Sequence, residues 1–222
     1  MMTLAELRLA AKQRSNLENS SFVTDSEWNS YINFAVSELK DILISKFGND
    51  YYITKYTLTL TSNVNEYDLP EDFYKLAYML YKSGNLQYKM KRFEIEELNQ
   101  FNGYVLSSTI PDLRYRITAS KVEFSPQNNT GGQQVTLVYI PIPPKLVSDA
   151  DELQGFNGWE ELAVLLAARK ALVKEEQSVK EIDTEIQLMK FRVEAMADNR
   201  DAAEPMRIAD TQRLFDGTDL WP

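Results

Sequence analysis

Apolar residues recur at helical spacing near both ends of the chain, and each of these stretches begins with the same local signal. A Ser, Thr or Asn is followed three positions later by Glu, and the four pairs are Thr3/Glu6, Thr24/Glu27, Asn157/Glu160 and Ser178/Glu181. In such a capping box the first side chain accepts a hydrogen bond from a backbone N–H of the opening turn, and the glutamate accepts one from the cap residue. The pattern predicts a pair of helices at each end of the chain.

The second of these helices has the clearest pattern. An apolar stripe at helical period begins at Trp28, and Val23 stands just before the Thr24 cap, where it can pack onto Trp28. Gly48 readily takes a positive φ, so we predict that the helix ends there, over residues 24–47. The first helix, over residues 4–14, is short and depends on packing to persist.

Between the helix pairs the apolar period changes to two, which is typical of half-buried strands. Antiparallel strands are predicted from Tyr51 onward, at residues 56–61, 66–69, 75–82, 86–90, 114–118, 121–125 and 134–140. Pro70 favours a brief helix through Phe73 and Tyr74, and residues 93–101 favour another small helix. The proline-rich segment 140–144 then ends the sheet, because proline donates no N–H.

Residues 159–199 permit two interpretations. One apolar series recurs every seven residues, at Leu165, Leu172, Val179, Ile186 and Val193, and by itself it predicts one coiled-coil helix of about forty residues. A second series, from Ala168 to Met196, is interrupted by Glu175, and Ser178 begins a new capping box. We therefore predict two antiparallel helices joined by a tight turn near residues 176–178.

These patterns predict an α+β chain: a mainly α-helical bundle of two N-terminal and two C-terminal helices, with an inserted antiparallel β-rich region and an extended C-terminal tail. The predicted segments are residues 1–50 for the N-terminal helices, 51–144 for the β-rich insertion, 145–204 for the C-terminal helix pair and 205–222 for the extended arm. The arm is a candidate contact for a partner or for the chain's own core, and its apolar residues are Leu214, Phe215, Leu220 and Trp221.

Composition excludes several kinds of site. The 222-residue chain has no cysteine and no histidine, which excludes disulfides, thiol nucleophiles, the common zinc sites and the usual general base near neutral pH. A net charge of −9 disfavours a sequence-independent grip on nucleic acid phosphates. Neither a membrane-spanning apolar run nor a secretory leader stands out, so we expect synthesis in the cytoplasm.

Two kinds of acidic cluster carry candidate chemistry. Asp149, Asp151 and Glu152 suggest a calcium loop, but the spacing departs from the EF-hand pattern and a solvated turn is favoured. Carboxylates at residues 68–72 or 94–97 could form an acid–base pair, although acidic residues are expected in the first turn of a helix. We therefore predict no catalytic residue, no metal site and no cofactor.

A nucleic-acid surface is a further alternative. Tyr78, Tyr81 and Tyr88 lie close in sequence to several lysines and to Arg92, and aromatics beside cations can stack bases and follow phosphates. Alternating aromatics in strands are more typical of cross-strand packing. The helix over residues 24–47 could also serve as a recognition helix, but its acidic residues make it unsuited to a phosphate groove.

Several segments, taken in order, resemble one known family. They are TDSEWNSYIN at residues 24–33, YDLPEDFYKL at 67–76, the strand at 135–141, NGWEE at 157–161 and NRD at 199–201. In this order the segments resemble the head-to-tail adaptor, or connector, proteins of short-tailed bacteriophages. The resemblance covers about residues 4–201, and its specificity comes from the order of the motifs.

The resemblance implies a non-enzymatic structural virion protein at the head–tail junction, which assembles as a dodecameric ring and takes part in genome ejection. The implied partners are the portal protein, the tail nozzle protein with tail fibres, and further copies of the chain; no membrane is involved. DNA would pass through the lumen without specific binding, and diffuse negative charge suits such a channel because it repels phosphate. The alternatives are a generic helical interaction scaffold without a phage role, a carboxylate-dependent hydrolase and a nucleic-acid binder.

Overall fold

The computed structural model of the chain describes residues 1–48, 50–97, 113–126, 131–156 and 158–198. Within these residues the helices are α1 (Leu4–Arg14), α2 (Asp25–Phe47), α3 (Glu160–Lys174) and α4 (Lys180–Asp198). The strands are β1 (Thr54–Thr59), β2 (Glu66–Asp68), β3 (Phe73–Ser83), β4 (Leu86–Lys89), β5 (Lys91–Arg92), β6 (Arg114–Thr118), β7 (Lys121–Ser125) and β8 (Gln134–Pro141). The chain is α+β, as predicted, and its strands lie between two pairs of helices.

The first two helices begin at the predicted capping boxes. Thr3 and Thr24 are the N-cap residues, and in each box the cap side chain and the glutamate side chain both make their backbone bonds. Gly48 ends α2 with a φ of +91°. A box satisfies two of the N–H groups that the first turn of a helix leaves without a helical partner, so both helix starts are set by local sequence.

The last two helices begin later than their predicted boxes. Trp159 is the N-cap of α3 and makes no side-chain cap bond, while Glu160 accepts a hydrogen bond of 2.8 Å from the N–H of Gly158. Asn157 lies outside the described residues. Helix α4 begins at Lys180, so the residue before it is Val179 rather than Ser178.

The helical stretch after residue 159 is interrupted, as the fresh capping box predicted. Helix α3 ends at Lys174, and Glu176 takes a left-handed φ of +56° before α4 begins. Arg169 donates to Asp183 near the turn at 2.6 Å, and the guanidinium of Arg192 lies 6.0 Å from the Trp159 ring centre at the other end. The two helices are therefore antiparallel, and the single continuous helix is wrong.

The helices share one hydrophobic core. Helix α2 packs against α1, α3 and α4, and its buried stripe includes Trp28, Ile32, Leu39 and Leu43, each at most 1% exposed. The segment that precedes α3 adds apolar side chains to the same core, namely Leu146, Leu153 and Phe156. Burying each large apolar side chain contributes about 1.5–3 kcal/mol, so this core is the main source of stability in the described chain.

The strands form two small sheets rather than the single antiparallel set that was predicted. One has the order β1-β8-β3-β4 and is antiparallel throughout. The other has the order β2-β7-β6-β5, and its β5–β6 pair is parallel. The predicted hairpin of residues 75–82 and 86–90 is confirmed as β3 and β4. A second, smaller core lies between strands of the two sheets, and includes Met79, Val122, Phe124, Val135 and Leu137.

The predicted helix through Phe73 and Tyr74 is wrong, because both residues begin strand β3. Pro70 forms only a single turn, in which its carbonyl accepts from the N–H of Phe73 at 2.9 Å. Phe73 pairs with Pro141 of β8, and its ring stacks on Tyr139 with centroids 5.5 Å apart. Of the small helix predicted over residues 93–101, a single 3₁₀ turn at Ile95–Glu97 is present and residues 98–101 lie outside the described residues.

Candidate interaction surfaces

The joint between the helices and the first sheet is built around a buried lysine. Lys40 of α2 is 5% exposed, its ammonium donates to the carbonyl of Pro141 on β8, and it lies 5.4 Å from the centre of the Tyr52 ring. Burial lowers the pKa of Lys40, and the nearby charges of Asp72 and Asp41 oppose that effect. A buried cation with a carbonyl acceptor holds its strand at one position along the helix.

One tyrosine–aspartate bond crosses this joint, and a second lies beside it within the β-rich region. Tyr139 of β8 donates to Asp72 at 2.7 Å, and Tyr74 of β3 donates to Asp41 of α2 at 2.7 Å. Burial, followed by the bond to Asp72, raises the pKa of Tyr139 to about 12. The hydrogen bond to Asp41 raises the pKa of Tyr74. Helix α2 therefore contacts both central strands of the first sheet through polar groups, which fixes the sheet's orientation on the helices.

A second set of contacts secures the segment that returns from the sheet to α3. The amide side chain of Asn33 on α2 donates to the Leu146 carbonyl at 2.9 Å and accepts from the Leu146 N–H at 2.8 Å. The Tyr52 hydroxyl donates to the Gly155 carbonyl at 2.7 Å. Asn33 thus replaces a missing backbone partner, and the return segment is held against α2.

The acidic turn near residue 150 serves the fold. Asp149 binds both terminal nitrogens of Arg8 on α1, at 2.9 and 3.0 Å. Asp151 accepts from the N–H groups of Val147 and Ser148, and these bonds lower its pKa. The predicted turn-forming role is confirmed for Asp151, while Asp149 joins α1 to the turn. Among the residues that the structure describes, no group of three or more acidic side chains could hold a metal ion.

The tyrosines considered for base stacking do not share one surface. Tyr81 faces Tyr88 across the β3–β4 hairpin and is 6% exposed. Tyr78 is three residues away on the same strand and pairs with Val138, so its side chain lies on the opposite face. Lys89 lies 5.7 Å from the centre of the Tyr78 ring. These contacts are cross-strand packing, as favoured from the sequence.

Several large apolar side chains remain exposed on the helices. Phe34 on α2 is 63% exposed, and on α4 Leu188 is 65%, Phe191 is 70% and Met196 is 56% exposed. Met196 belongs to the predicted apolar series from Ala168, whereas the pattern predicts no role for the other three. The sequence could have indicated the exposure of Phe34, Leu188 and Phe191, because these three residues lie outside the apolar stripes of their helices. Phe34, Leu188, Phe191 and Met196 are therefore candidate contacts for another protein.

The predicted contact residues of the C-terminal arm, Leu214, Phe215, Leu220 and Trp221, lie outside the described residues.

An ion pair joins the start of α2 to the end of α3. Glu27 of the Thr24 box accepts from Lys174 of α3 at 2.7 Å, and this bond, followed by those from Thr24, lowers the pKa of Glu27 to about 2. No helix within the described ranges is both long and apolar enough to span a membrane.

The described surfaces combine exposed apolar side chains on the helices with strands at open sheet edges. A family model for the SU10 adaptor protein matches residues 2–210. Since the match spans nearly the whole chain, the chain belongs to the SU10 adaptor protein family. It is therefore a phage adaptor, a structural virion component that interacts with other virion proteins. A comparison with curated proteins gives no match.

Proposed function

We propose that this chain is a head-to-tail adaptor that forms a ring, a dodecamer, between the portal and the tail nozzle and contributes to the DNA channel. The observation that carries the proposal is the family match over residues 2–210. The implied partners are the portal protein, the nozzle protein with tail fibres, and neighbouring copies of the chain. In this role the chain needs binding surfaces and no active site.

The two hydrophobic cores suggest that the helical region and the β-rich region have different roles in the ring. In the proposal, residues 1–50 and 145–204 form the helical bundle of the ring, and residues 51–144 project from it toward tail components or neighbours. The joint at Lys40 and Asp41 supports this division, because these two α2 side chains bind Pro141 and Tyr74 and hold the β-rich region at one orientation on α2. A subunit with a fixed internal angle can repeat identically around a symmetry axis.

Exposed apolar side chains support assembly with other chains. Phe34, Phe191 and Leu188 are each more than 60% exposed, and surfaces of this kind are usually covered by a partner in an assembled complex. The arm of residues 205–222 is proposed to reach the portal or a neighbouring subunit. The net charge of −9 favours a lumen that repels the DNA backbone, so that the genome passes without adhering.

The direct test is to mix the purified chain with portal rings and image the product by electron microscopy. We expect rings of this protein stacked on the portal with the portal's own symmetry. A generic helical scaffold predicts no affinity for the portal, so the absence of binding across salt and concentration series would reject the adaptor proposal.

The role of the arm is tested in the same assay. Replacing Leu220 and Trp221 together with Ser removes its last large apolar side chains, and we expect fewer portal-bound rings. The matched control is Thr218→Ser in the same segment, which should bind as the unmodified chain does. Equal binding of both variants would contradict a contact through this part of the arm.

A further inference from the structure

The first sheet has two open edges. Strand β1 lies at one edge and β4 at the other, and each pairs with a single neighbour within the described residues. The Leu60 N–H donates to the Gln133 carbonyl at 2.8 Å, so the backbone N–H of Leu60 points toward the β8 side. Because antiparallel strands alternate the direction of their backbone groups, the N–H and C=O of Thr57 and Thr59 point away from the sheet.

The same alternation applies at the other edge. The Met90 N–H donates to the Met79 carbonyl of β3 at 2.9 Å, so the backbone groups of Gln87 and Lys89 point outward. A row of outward backbone donors and acceptors is a template for pairing with another strand. Neither strand contains proline, and each carries one lysine, Lys55 on β1 and Lys89 on β4. Like charges oppose pairing most strongly where they lie directly opposite each other.

The strand directions allow the two edges to meet. Each neighbour in the order β1-β8-β3-β4 is antiparallel to the next, so β1 and β4 run in opposite directions. If β4 of one copy lies beside β1 of the next, the junction is antiparallel like every other pair in this sheet. Such a contact uses two different surfaces of the subunit, and contacts of that type generate rings when the rotation closes.

Apolar side chains accompany both edges on one face of the sheet. Tyr56 and Leu58 of β1 lie opposite Leu137 and Val135, which are buried in the smaller core. On β4, Tyr88 lies opposite the buried Tyr81. Residues two apart share a face, so Leu86 lies on the same side as Tyr88. Exposure is 41% for Tyr56, 36% for Tyr88 and 61% for Leu86.

We propose that β4 of one subunit pairs with β1 of the neighbouring subunit, which joins their first sheets edge to edge around the ring. The favoured register sets Lys89 opposite Thr57 and Tyr88 opposite Leu58. This register covers exposed apolar side chains with apolar neighbours, and it sets Lys89 opposite the neutral Thr57 rather than directly opposite Lys55. The occupant of each edge is a second copy of this chain, and the inference rests on the proposed ring.

Disulfide trapping tests this pairing without interference, because the chain has no cysteine. The double variant Thr57→Cys/Lys89→Cys places two thiols at opposed positions, where Cα atoms of a hydrogen-bonded antiparallel pair lie about 5.5 Å apart. Portal-bound rings of this variant are oxidised and separated on a denaturing gel without reductant. We expect a ladder of covalent multimers from dimer upward, which reductant collapses to monomer.

Control variants distinguish cross-links formed in the proposed register from cross-links formed by random collision. Each single cysteine variant should stay monomeric on the gel, because equivalent positions do not meet. The pair Lys55→Cys/Leu86→Cys uses the same two strands at positions too far apart to bridge, and it should also give monomer. A ladder of equal intensity in this pair would mean collisional cross-linking and would overturn the proposal.

A proline variant gives a second readout. Thr57→Pro removes an outward N–H that has no partner among the described residues, and edge positions tolerate proline. We expect wild-type secondary structure and about tenfold weaker association per interface.

The outcomes distinguish the edge pairing from the ring itself. Rings that form on the portal without a ladder from Thr57→Cys/Lys89→Cys would overturn the edge pairing alone. If no rings form, both the ring and the pairing fail.

Discussion

The helical region and the β-rich region of this protein differ in how much apolar surface they bury and in whether their backbone groups are satisfied. The helices bury a large core to which α2 contributes fully covered side chains such as Trp28, Leu39 and Leu43. The sheets enclose a smaller core and leave strands β1 and β4 at open edges. Helices satisfy their backbone groups internally, whereas an edge strand cannot. Stability is therefore concentrated in the helices, and the capacity to add strands is concentrated in the β-rich region.

The largest expected effect comes from opening the helical core. Trp28→Ala should reduce the free energy of unfolding by about 3–5 kcal/mol, because it leaves a cavity where the side chain is fully buried. Urea denaturation followed by circular dichroism measures the change. Phe34→Ala on the same helix is the control, and at 63% exposure it should change stability by about 0.5 kcal/mol or less.

The same experiment on the sheets sharpens the comparison. Leu137→Ala removes a side chain that is 1% exposed in the smaller core, and we expect a loss of about 2–3 kcal/mol, less than for Trp28→Ala. A larger loss from Leu137→Ala than from Trp28→Ala would contradict the assignment of stability mainly to the helices.

The turn between α3 and α4 should respond to backbone conformation. Glu176 has a φ of +56°, so Glu176→Val should destabilise the protein by about 1–2 kcal/mol, because a β-branched residue is strained there. Glu176→Gly relieves the strain and should be neutral or stabilising. Thermal unfolding of the two variants measures the difference. Equal stability would show that the turn does not impose this φ.

A hydrogen bond within the first sheet, beside its joint to α2, should show a smaller effect. Tyr139→Phe removes the hydroxyl that donates to Asp72 and keeps the ring that stacks on Phe73, so we expect a loss of about 1 kcal/mol. Tyr56→Phe is the matched control on the exposed edge and should stay within about 0.5 kcal/mol of the parent. Equal losses in the free energy of unfolding for Tyr139→Phe and Tyr56→Phe would contradict a specific contribution from the bond to Asp72.

The smallest effect is a pH dependence at the exposed end of α2. The pKa of Glu27 falls from 4.5 to about 2 in the folded chain, so between these values the unfolded state binds more protons. The stabilisation by Glu27 is complete above pH 4.5 and is lost as pH falls toward 2. Glu27→Gln should therefore lose less stability than the parent on acidification. Lys174→Met, which removes the main cause of the shift, should behave similarly, and an unchanged slope in both variants would contradict this origin.

Local signals in the sequence were reliable where a helix start depends on adjacent residues. The boxes at Thr3 and Thr24 form as predicted, and the break before Ser178 correctly separated α3 from α4. The box spacing alone did not locate the first residue of α3, since Trp159 holds the cap position. A three-residue spacing is common, and its effect depends on the conformation of the chain that leads into the helix.

The α+β order, the break between α3 and α4 and the strands with clear alternation could be read from the amino-acid pattern, because they depend mainly on residues close together in the chain. Three features required long-range contacts: Phe73 and Tyr74 extend β3, the strands divide into two sheets, and Lys40 is buried against Pro141. Each of these depends on partners far away in sequence, and β8 takes part in all three. A strand gains its hydrogen bonds from another segment, whereas a helix supplies its own.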